Sequence, residues 1–389
     1  MPCLDGMRVL ILLGGSELFG SERANIEVFR NLKEMGLQAR FITNSKYGKP
    51  EIQPALTCLG FEWTTAPFGY HWSRNMLGKH FGYFLLNIYG VMATSWRVWR
   101  EVRHWKPTHL YVTTCDDFSY ALPAVFWLNL PLIYRAGDEL PKHSWFHRWL
   151  ITRLAARVSI FVCVSRFIRE TCATAVPNGR MQMIYSYPPS RAAGEPLALP
   201  TVRPGVVMLA YLGQLSQHKG ILVLLDAVEG IIKQGKNIGL WIAGSTGRNE
   251  TFFLKSLKQR VAAAGMAERI FFLSYTSAVD AVLARTDIHV CPSLFAEPLP
   301  NVVLEAKLAG KPSVIFPVGG IPELIEHKVD GYICRDCSVE ALVEGISYYL
   351  DRPDERGRAG VAARKSLEEK FGLERFRKQW AEVFLQTTA

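Results

Sequence analysis

The chain of 389 residues lacks an apolar run long enough to cross a bilayer as a helix. Its longest apolar stretch, residues 81–93, is interrupted by two glycines and an asparagine, and it falls short of the roughly 20 residues that a spanning helix needs. No secretory signal is visible either, because residues 8–13 form a short apolar run typical of a core strand. These absences predict a cytoplasmic protein, either soluble or peripheral on the cytoplasmic face of a membrane.

The sequence also lacks two common metal-binding patterns, a double C-x-x-C and a D-x-D. Cys334 and Cys337 form a single C-x-x-C, without the second pair that a zinc site needs. No D-x-D sequence occurs, and the adjacent Asp116 and Asp117 should point apart. We therefore expect a reduced protein in a reducing compartment, with no metal site.

Positive charge is concentrated in the first half of the chain. Residues 1–200 have 22 Lys/Arg against 14 Asp/Glu, a net +8, whereas residues 201–389 have 23 against 21, a net +2. Residues 71–106 combine eight aromatic side chains with six Lys/Arg and one acid, and residues 142–169 repeat tryptophan and arginine pairs at four-residue spacing. This composition suits an anionic membrane surface, although buried aromatics beside an ordinary solvated arginine face would give the same pattern. Nucleic acid is not expected, since no binding motif accompanies the charge.

Strand-like and helical runs alternate throughout, which predicts an α/β fold with parallel, doubly wound sheets. Five prolines between residues 188 and 204 interrupt the alternation and indicate a linker. We therefore expect a first domain at residues 1–198, a second at 199–372, and a C-terminal helix at 373–389 that packs back on the first domain. A ligand cleft is expected between the carboxyl ends of their strands.

Glycine-rich loops follow three of the predicted strands. Glycine lets a backbone approach phosphate closely, and a helix that begins after such a loop favours negative charge at its N-terminus. Because none of the loops has a G-x-G-x-x-G sequence or a Walker lysine, each taken alone is also consistent with an ordinary turn. The loops are Gly14-Gly15 with Glu22 and Arg23 in the next helix, Gly213–Gly220 with Gln214 and Lys219, and residues 243–248 with Gly244 and Arg248.

Two glutamates, Glu297 and Glu305, flank the expected start of a helix. That helix should begin near Pro300 and end at Gly310. Its free backbone N–H groups can bind phosphate, while the carboxylates can accept hydrogen bonds from the hydroxyl groups of a sugar. The spacing alone also fits an acidic cap on a solvated helix, but together with the glycine loops it favours a nucleotide-sugar site.

The segment from Val290 to Tyr332, with its E-x7-E, Ala-Gly-Lys-Pro and Gly-Gly-Ile-Pro-Glu sequences, resembles the retaining GT-B glycosyltransferases of family 4. Similar sequences at residues 20–23, 163–170 and 213–220 extend the resemblance over nearly the whole chain. It implies two Rossmann-like domains facing across a cleft. It also implies transfer of a hexose from a nucleotide-diphosphate sugar to a glycan or lipid-linked acceptor, as in polysaccharide biosynthesis, without a metal or other cofactor.

The resemblance assigns roles to individual residues of this chain. Glu297 would contact donor-sugar hydroxyls, Glu305 the ribose, and Lys219 the diphosphate. Glu297 and Lys219 would be the catalytic residues, since stabilising the departing diphosphate lowers the barrier. The other donor contacts would be Gly14, Gly15, Gln214, Gly244, Arg248, Leu299, Pro300, Asn301 and Val302, and the acceptor or sugar contacts would be Asp138, Glu22 and Arg23.

Two positions depart from the family pattern. Gln214 stands where arginine is common, so the diphosphate lacks one cation unless Arg248, His218 or Arg23 replaces it. The sequence Ala136-Gly137-Asp138 lacks a histidine that the family often has there. These departures leave open a GT-B protein that binds a nucleotide sugar or glycan with little transfer activity. A dinucleotide-dependent oxidoreductase is a further alternative, but it leaves the two glutamates unexplained.

Overall fold

The structure is a computed structural model that describes residues 2–15, 18, 20–45, 51–68, 81–141, 144–188, 197–246, 251–276 and 278–387. The chain forms two compact units. One contains Met1–Ser186 together with Leu373–Ala389, and the other contains Tyr187–Gly372. The chain therefore passes from the first unit to the second at the start of the proline-rich segment, and it returns to the first unit for its last helix.

The first unit is built on a seven-stranded sheet in which all neighbouring strands are parallel. Its strands are β1 (Arg8–Leu13), β2 (Gln38–Asn44), β3 (Glu62–Ala66), β4 (His109–Val112), β5 (Leu132–Ala136), β6 (Ile160–Cys163) and β7 (Met181–Met183). The spatial order is β3-β2-β1-β4-β5-β6-β7. The order reverses at β1 and β4, and the central strands are buried almost throughout, as expected for a sheet covered on both faces.

Helices cover both faces of this sheet. They are α1 (Gly20–Lys33), α2 (Ile52–Cys58), α3 (Phe81–Trp105), α4 (Cys115–Trp127), α5 (Trp145–Arg157) and α6 (Arg166–Ala175). Right-handed crossovers place α1 and α2 on one face and α3, α4 and α5 on the other, because the chain reverses direction after β3. Helix α3 packs against α4, and α4 against α5. The hydroxyl groups of Thr114, Ser144 and Ser165 cap α4, α5 and α6.

The second unit has a six-stranded parallel sheet. Its strands are β8 (Val207–Leu212), β9 (Ile238–Ala243), β10 (Ile270–Leu273), β11 (Ile288–Cys291), β12 (Ser313–Ile315) and β13 (Gly331–Ile333), and its helices are α7 (Ile221–Lys233), α8 (Thr251–Ala263), α9 (Val279–Ala284), α10 (Asn301–Leu308), α11 (Val339–Leu350) and α12 (Pro353–Phe371). The order β10-β9-β8-β11-β12-β13 reverses at β8 and β11. The predicted alternation of strands and helices is confirmed in both units.

The last helix, α13 (Leu373–Thr387), packs into the first unit. Phe384 lies edge-on to Phe29 and His109, with ring centroids 6.3 and 5.5 Å apart. The Trp380 ring lies 5.9 Å from that of Tyr111, a residue of β4. Both Phe384 and Trp380 are fully buried, so α13 is part of the core of this unit rather than a free tail.

Helix α10 is fixed in the second unit by a lysine that has no exposed side-chain surface. The Lys307 ammonium lies 2.6 Å from the Asp330 carboxylate and donates to the Ser366 hydroxyl at 3.2 Å. The other Asp330 oxygen accepts from the Glu326 N–H at 2.8 Å. Burial lowers the pKa of Lys307, and the nearby Asp330 charge opposes that shift. The ion pair thereby ties α10 to α12 and to the turn before β13.

Replacing Lys307 with methionine should therefore lower the free energy of unfolding of the second unit by about 3–5 kcal/mol, because Asp330 would be left buried without its cation. Denaturant titration measures this loss. Lys307→Met combined with Asp330→Asn should recover part of it. The matched control is Lys233→Met, which removes an exposed pair with Glu229 and should cost about 0–1 kcal/mol. Equal losses in the two single variants would contradict the role of the buried pair.

Candidate functional site

The loops after β8 and β11 touch through their backbones at the point where the strand order reverses. Gly220 has a φ of 71°, and a Cβ built there would collide with the Pro292 carbonyl group. Glycine is therefore required on both conformational and steric grounds. The Leu294 N–H also donates to the His218 carbonyl oxygen at 2.8 Å. This close approach brings the predicted lysine and glutamate of the two loops together.

Lys219 and Glu297 form an ion pair at this edge of the sheet. The Lys219 Nζ lies 2.6 Å from Glu297 Oε2, and the two side chains are 25% and 9% exposed. The Ser293 hydroxyl donates to the other carboxylate oxygen of Glu297. The Lys219 ammonium also lies 4.9 Å from the centre of the Phe295 ring. The arrangement holds an ammonium group and a carboxylate in a partly open position, where an anionic ligand can compete for the lysine.

The backbone of Glu297 is held by the predicted Gly-Gly turn. The Gly320 N–H donates to the Glu297 carbonyl oxygen at 2.8 Å. Gly319 has a φ of 58°, and a Cβ built on it would collide with that same carbonyl group. The turn therefore fixes the loop that carries the carboxylate, and it requires glycine at position 319.

Glu305 is the fifth residue of α10 and is buried. The helix begins at Asn301 with Pro300 as its N-cap residue, one position later than the sequence predicts, and it ends two residues before Gly310. The first N–H groups of a helix have no acceptor within it. Leu299, Asn301 and Val302 are partly exposed around that end, whereas Pro300 is buried.

The loop after β9 lies against the loop after β8. A Cβ on Gly244 would collide with the Gly213 carbonyl group, and the Leu215 N–H donates to the Ser245 carbonyl oxygen at 3.0 Å. The Gln214 side chain is exposed, and its main-chain carbonyl accepts from the Tyr211 hydroxyl at 2.6 Å. The predicted site residue Arg248 lies outside the described residues.

In the first unit, Gly14 is held by a buried acid. Asp117 accepts a hydrogen bond from the Gly14 N–H at 3.0 Å through one oxygen and from the Thr113 hydroxyl at 2.9 Å through the other. Asn44 donates to the Gly14 carbonyl oxygen at 3.1 Å. Burial raises the pKa of Asp117 to about 7, although the hydrogen bonds from Thr113 and Thr114 oppose the shift. Asp117 thus determines the shape of the glycine loop after β1.

Gly15 and the start of α1 form the rest of this loop. A Cβ built on Gly15 would lie 2.6 Å from a carboxylate oxygen of Glu22, so the two residues are in close contact. The Ser21 hydroxyl donates to the other Glu22 oxygen at 2.7 Å. Arg23 donates from Nε to the Leu18 carbonyl oxygen at 3.1 Å. Of the predicted residues of the first loop, Gly15 and Glu22 therefore contact each other.

Arg135, near the end of β5, is a buried cation that the sequence analysis did not identify. Its guanidinium donates to the Ser186 hydroxyl at 3.0 Å and lies 3.4 Å from Asn25 Oδ1. Burial lowers the pKa of Arg135, while the charges of the predicted residues Asp138 and Glu22 oppose that shift. The sequence feature that could have identified Arg135 is a single arginine inside an otherwise apolar strand, Leu-Ile-Tyr-Arg-Ala.

The predicted residues thus form two groups, one at the switch point of each sheet. Among the described residues, no three His, Cys, Asp or Glu side chains lie together as a metal site would require. The group of the second unit contains Gln214, Lys219, Gly244, Glu297, residues 299–302 and Glu305, and that of the first contains Gly14, Gly15, Glu22, Arg23 and Asp138.

Comparison with known proteins places the chain in a family. The model of the family described as Glycosyl transferases group 1 matches residues 202–366. A glycogen synthase from Mycobacterium tuberculosis is 30% identical over 295 residues, which cover 73% of this chain and 70% of that protein. The chain belongs to the group 1 glycosyltransferases. Spore coat protein SA from Bacillus subtilis is 28% identical over 246 residues. These residues cover 58% of this glycosyltransferase and 65% of that relative, which is just under two thirds of its length.

A solved structure shows the fold of the whole chain. HepE from Anabaena superimposes with a TM-score of 0.77 at 19% sequence identity, covering 97% of this chain and 99% of that one. Its match confirms the GT-B class that the resemblance implied, with a Rossmann-like sheet in each unit. The segments whose sequences resemble the family, residues 213–220 and 290–332, both lie in the second unit of this fold.

The buried acid of the first unit should make stability depend on pH. The folded protein keeps the Asp117 proton up to a pH of about 7, whereas the unfolded chain loses it near pH 4. The contribution of Asp117 is therefore fully present below about pH 4 and is lost as the pH rises to about 7. Asp117→Asn keeps an acceptor for the Gly14 N–H but cannot titrate. The difference in Tm between wild type and Asp117→Asn should fall across this window and then level off.

The matched control for this measurement is Asp116→Asn, because Asp116 is the neighbouring acid and is only partly buried. The difference in Tm between wild type and Asp116→Asn should not fall in the same way between pH 4 and about 7. A flat difference curve for Asp117→Asn would show that the Asp117 carboxyl group does not hold its proton in the folded state.

Proposed function

We propose that the protein transfers a hexose from a nucleotide-diphosphate sugar to a glycan or lipid-linked acceptor, with retention at the anomeric carbon and without a metal. The observation that carries the proposal is the Lys219–Glu297 pair, 2.6 Å apart at the switch point of the second sheet. Ligands of open α/β sheets bind at such points. In support, HepE was solved with UDP and with UDP-glucose, and the glycogen synthase is a relative of known class.

Lys219 would stabilise the departing diphosphate. In the reaction, the bond between the anomeric carbon and the diphosphate oxygen breaks, a bond to an acceptor hydroxyl oxygen forms, and the proton of that hydroxyl passes to the departing diphosphate. Negative charge therefore grows on the leaving group. The Lys219 ammonium and the main-chain N–H groups of Leu299, Asn301 and Val302 are fixed before the reaction, so they lower the barrier without reorganising. No resident metal is needed in this scheme, because these groups supply the positive potential.

Glu297 and Glu305 would hold the two sugar rings of the donor. Diphosphate oxygens can take the place of the Glu297 carboxylate next to Lys219, which leaves that carboxylate to accept hydrogen bonds from donor-sugar hydroxyls. Glu305 lies eight residues further along the chain, in α10, and would accept hydrogen bonds from the ribose hydroxyls. The Gly319–Gly320 turn keeps the first carboxylate in place, so the distance between the two acceptors is set by the backbone.

A second candidate function is a protein that binds a nucleotide sugar or glycan with little transfer activity. The exposed, uncharged Gln214 side chain favours it, because this position would add a cation if it were arginine. An amide can donate a hydrogen bond to a phosphate but cannot neutralise its charge. Measured turnover separates the two candidates, since both bind the donor.

Loss of the Lys219 ammonium should lower turnover more than donor affinity. Assays with UDP-, GDP- and ADP-sugars should first identify the donor, by its effect on Tm and by release of the nucleoside diphosphate. With that donor, Lys219→Ala should lower kcat about 10²–10³-fold, as expected for removal of one leaving-group contact. Glu297→Gln should also lower kcat, because an amide replaces the acceptor of the sugar hydroxyls.

The matched control is Lys236→Ala, which removes an exposed lysine of the same unit paired with Asp351, and its turnover should equal that of wild type. Full activity in both Lys219→Ala and Glu297→Gln would refute these assignments. Donor binding without turnover in the wild-type protein would favour the second candidate.

Arginine at position 214 should strengthen binding of the donor diphosphate. A hydrogen bond to a charged group contributes about 1.5–3 kcal/mol, so Gln214→Arg should lower the Kd of the nucleoside diphosphate by about 10- to 150-fold in calorimetric titration. Gln217→Arg is the matched control, because Gln217 is exposed in the same loop and the substitution adds the same charge. Equal affinity in the two variants would show that Gln214 does not face the diphosphate.

A further inference from the structure

Helix α3 has its apolar side chains on the outside. Leu85, Tyr89, Met92, Trp96 and Trp99 follow one another at spacings of four and three residues, so they form one stripe along the helix. All five are exposed, Tyr89 by 60% and Met92 by 64%. Soluble proteins rarely expose a continuous apolar patch of this kind unless it meets a partner or a membrane.

The buried side of α3 carries several polar side chains as well as the apolar Val98. The residues that face α4 include Asn87, Thr94 and Ser95. Asn87 accepts from the Tyr120 hydroxyl at 2.9 Å, and the Ser95 hydroxyl donates to the Tyr120 carbonyl oxygen at 3.2 Å. These bonds fix the rotation of the helix, because turning the apolar stripe inward would break both contacts with Tyr120. The outward stripe is therefore built into the packing of the first unit.

Arginines lie against the tryptophans of this stripe. The guanidinium of Arg100 is 5.5 Å from the centre of the Trp96 ring, and that of Arg103 is 4.9 Å from the Trp99 ring. The only acid in α3, Glu101, is buried and paired with Arg40 at 3.0 Å. The outer face of α3 is therefore apolar and positively charged, with no acid to neutralise it.

Helix α5 repeats this chemistry on the same face of the sheet. Trp145 and Trp149 are exposed, and the Arg153 guanidinium lies 5.5 Å from the centre of the Trp149 ring. Arg148 is exposed between them, and α5 contains no acid. At the end of α4, between the two helices, Trp127 is 84% exposed. We call the exposed aromatic, apolar and arginine side chains of α3, α5 and the end of α4 the aromatic–arginine face.

We propose that the aromatic–arginine face binds an anionic lipid bilayer, with the apolar stripe of α3 lying in the interface. Tryptophan and tyrosine favour the headgroup level of a bilayer, while arginines bind acidic headgroups and keep their aliphatic stems in the apolar layer. Among the described residues, no helix is long and apolar enough to cross a membrane. The stripe would therefore insert to the depth of an interfacial helix.

A second copy of the chain fits this face less well. A two-fold dimer brings the same patch of both subunits together, so the arginines of one copy would face the arginines of the other. No acid is exposed on α3 or α5 to compensate that repulsion. An acidic lipid surface supplies the missing negative charge and the apolar layer together. The inference goes beyond the proposed transfer reaction, and its test needs no nucleotide sugar.

Co-sedimentation of the full chain with vesicles tests the proposal. Wild type should bind vesicles of phosphatidylcholine mixed with phosphatidylglycerol far more tightly than vesicles of phosphatidylcholine alone, and added salt should weaken binding. Each arginine near an anionic surface contributes roughly fivefold, so Arg100→Gln/Arg103→Gln should weaken binding roughly 25-fold. Met92→Ser/Trp96→Ser should weaken it more than roughly tenfold, because two apolar side chains no longer insert.

Helix α8 of the other unit supplies matched controls, because it has an exposed aromatic residue, Phe252, and two exposed lysines, Lys255 and Lys258. Phe252→Ser and Lys255→Gln/Lys258→Gln should bind vesicles like wild type. Both α3 variants should keep the wild-type Tm, since only exposed side chains change. The proposal is overturned by negligible binding of wild type to both kinds of vesicle, or by equal loss in the α8 controls. It is also overturned by a concentration-dependent dimer, seen by light scattering, that Met92→Ser/Trp96→Ser abolishes.

Discussion

In each unit, the two loops at the reversal of strand order are bonded to each other, and the candidate sites depend on these contacts. In the second unit, Gly220 meets the Pro292 carbonyl group, and Lys219 pairs with Glu297 immediately beside it. In the first unit, the loop of Gly14 is hydrogen-bonded to a side chain that follows β4. At a switch point, the loops after two adjacent parallel strands lead to opposite faces of the sheet. A direct contact between the two loops therefore fixes their positions relative to each other.

Buried ionisable side chains carry much of this positioning, and each acts on a different element. Lys307 ties α10 to the rest of the second unit, so the helix that bears Glu305 cannot shift along the sheet. Asp117 holds the glycine loop after β1, and Arg135 holds Ser186 at the end of the first unit. Burying an ionisable group costs desolvation energy, and here these groups lie near loops that carry predicted site residues. We infer that they hold these loops in place more than they add to overall stability.

The sequence was sufficient for features that depend on local spacing and insufficient for features that depend on contacts between distant segments. The alternation of strands and helices and the position of α10 follow from period, caps and the topology of parallel sheets. Asp117 could not be predicted, because its role depends on a hydrogen bond to a residue 103 positions away. Arg135 was missed for the same reason, since its partners lie in α1 and at Ser186.

Helix α3 shows why composition alone could not decide between a core and an interfacial surface. Its aromatic content is compatible with both, and the decision depends on which side chains face α4. Asn87 and Ser95 are hydrogen-bonded to Tyr120 of α4, so the polar side of the helix faces inward and the apolar stripe faces outward. The first unit therefore has an apolar outer surface for a structural reason that is independent of the donor site. Much of its excess of positive charge lies on the helices of this face, because α3 and α5 together have six arginines and one acid. The charge imbalance between the two halves of the sequence therefore arises largely from the helices that carry the aromatic–arginine face.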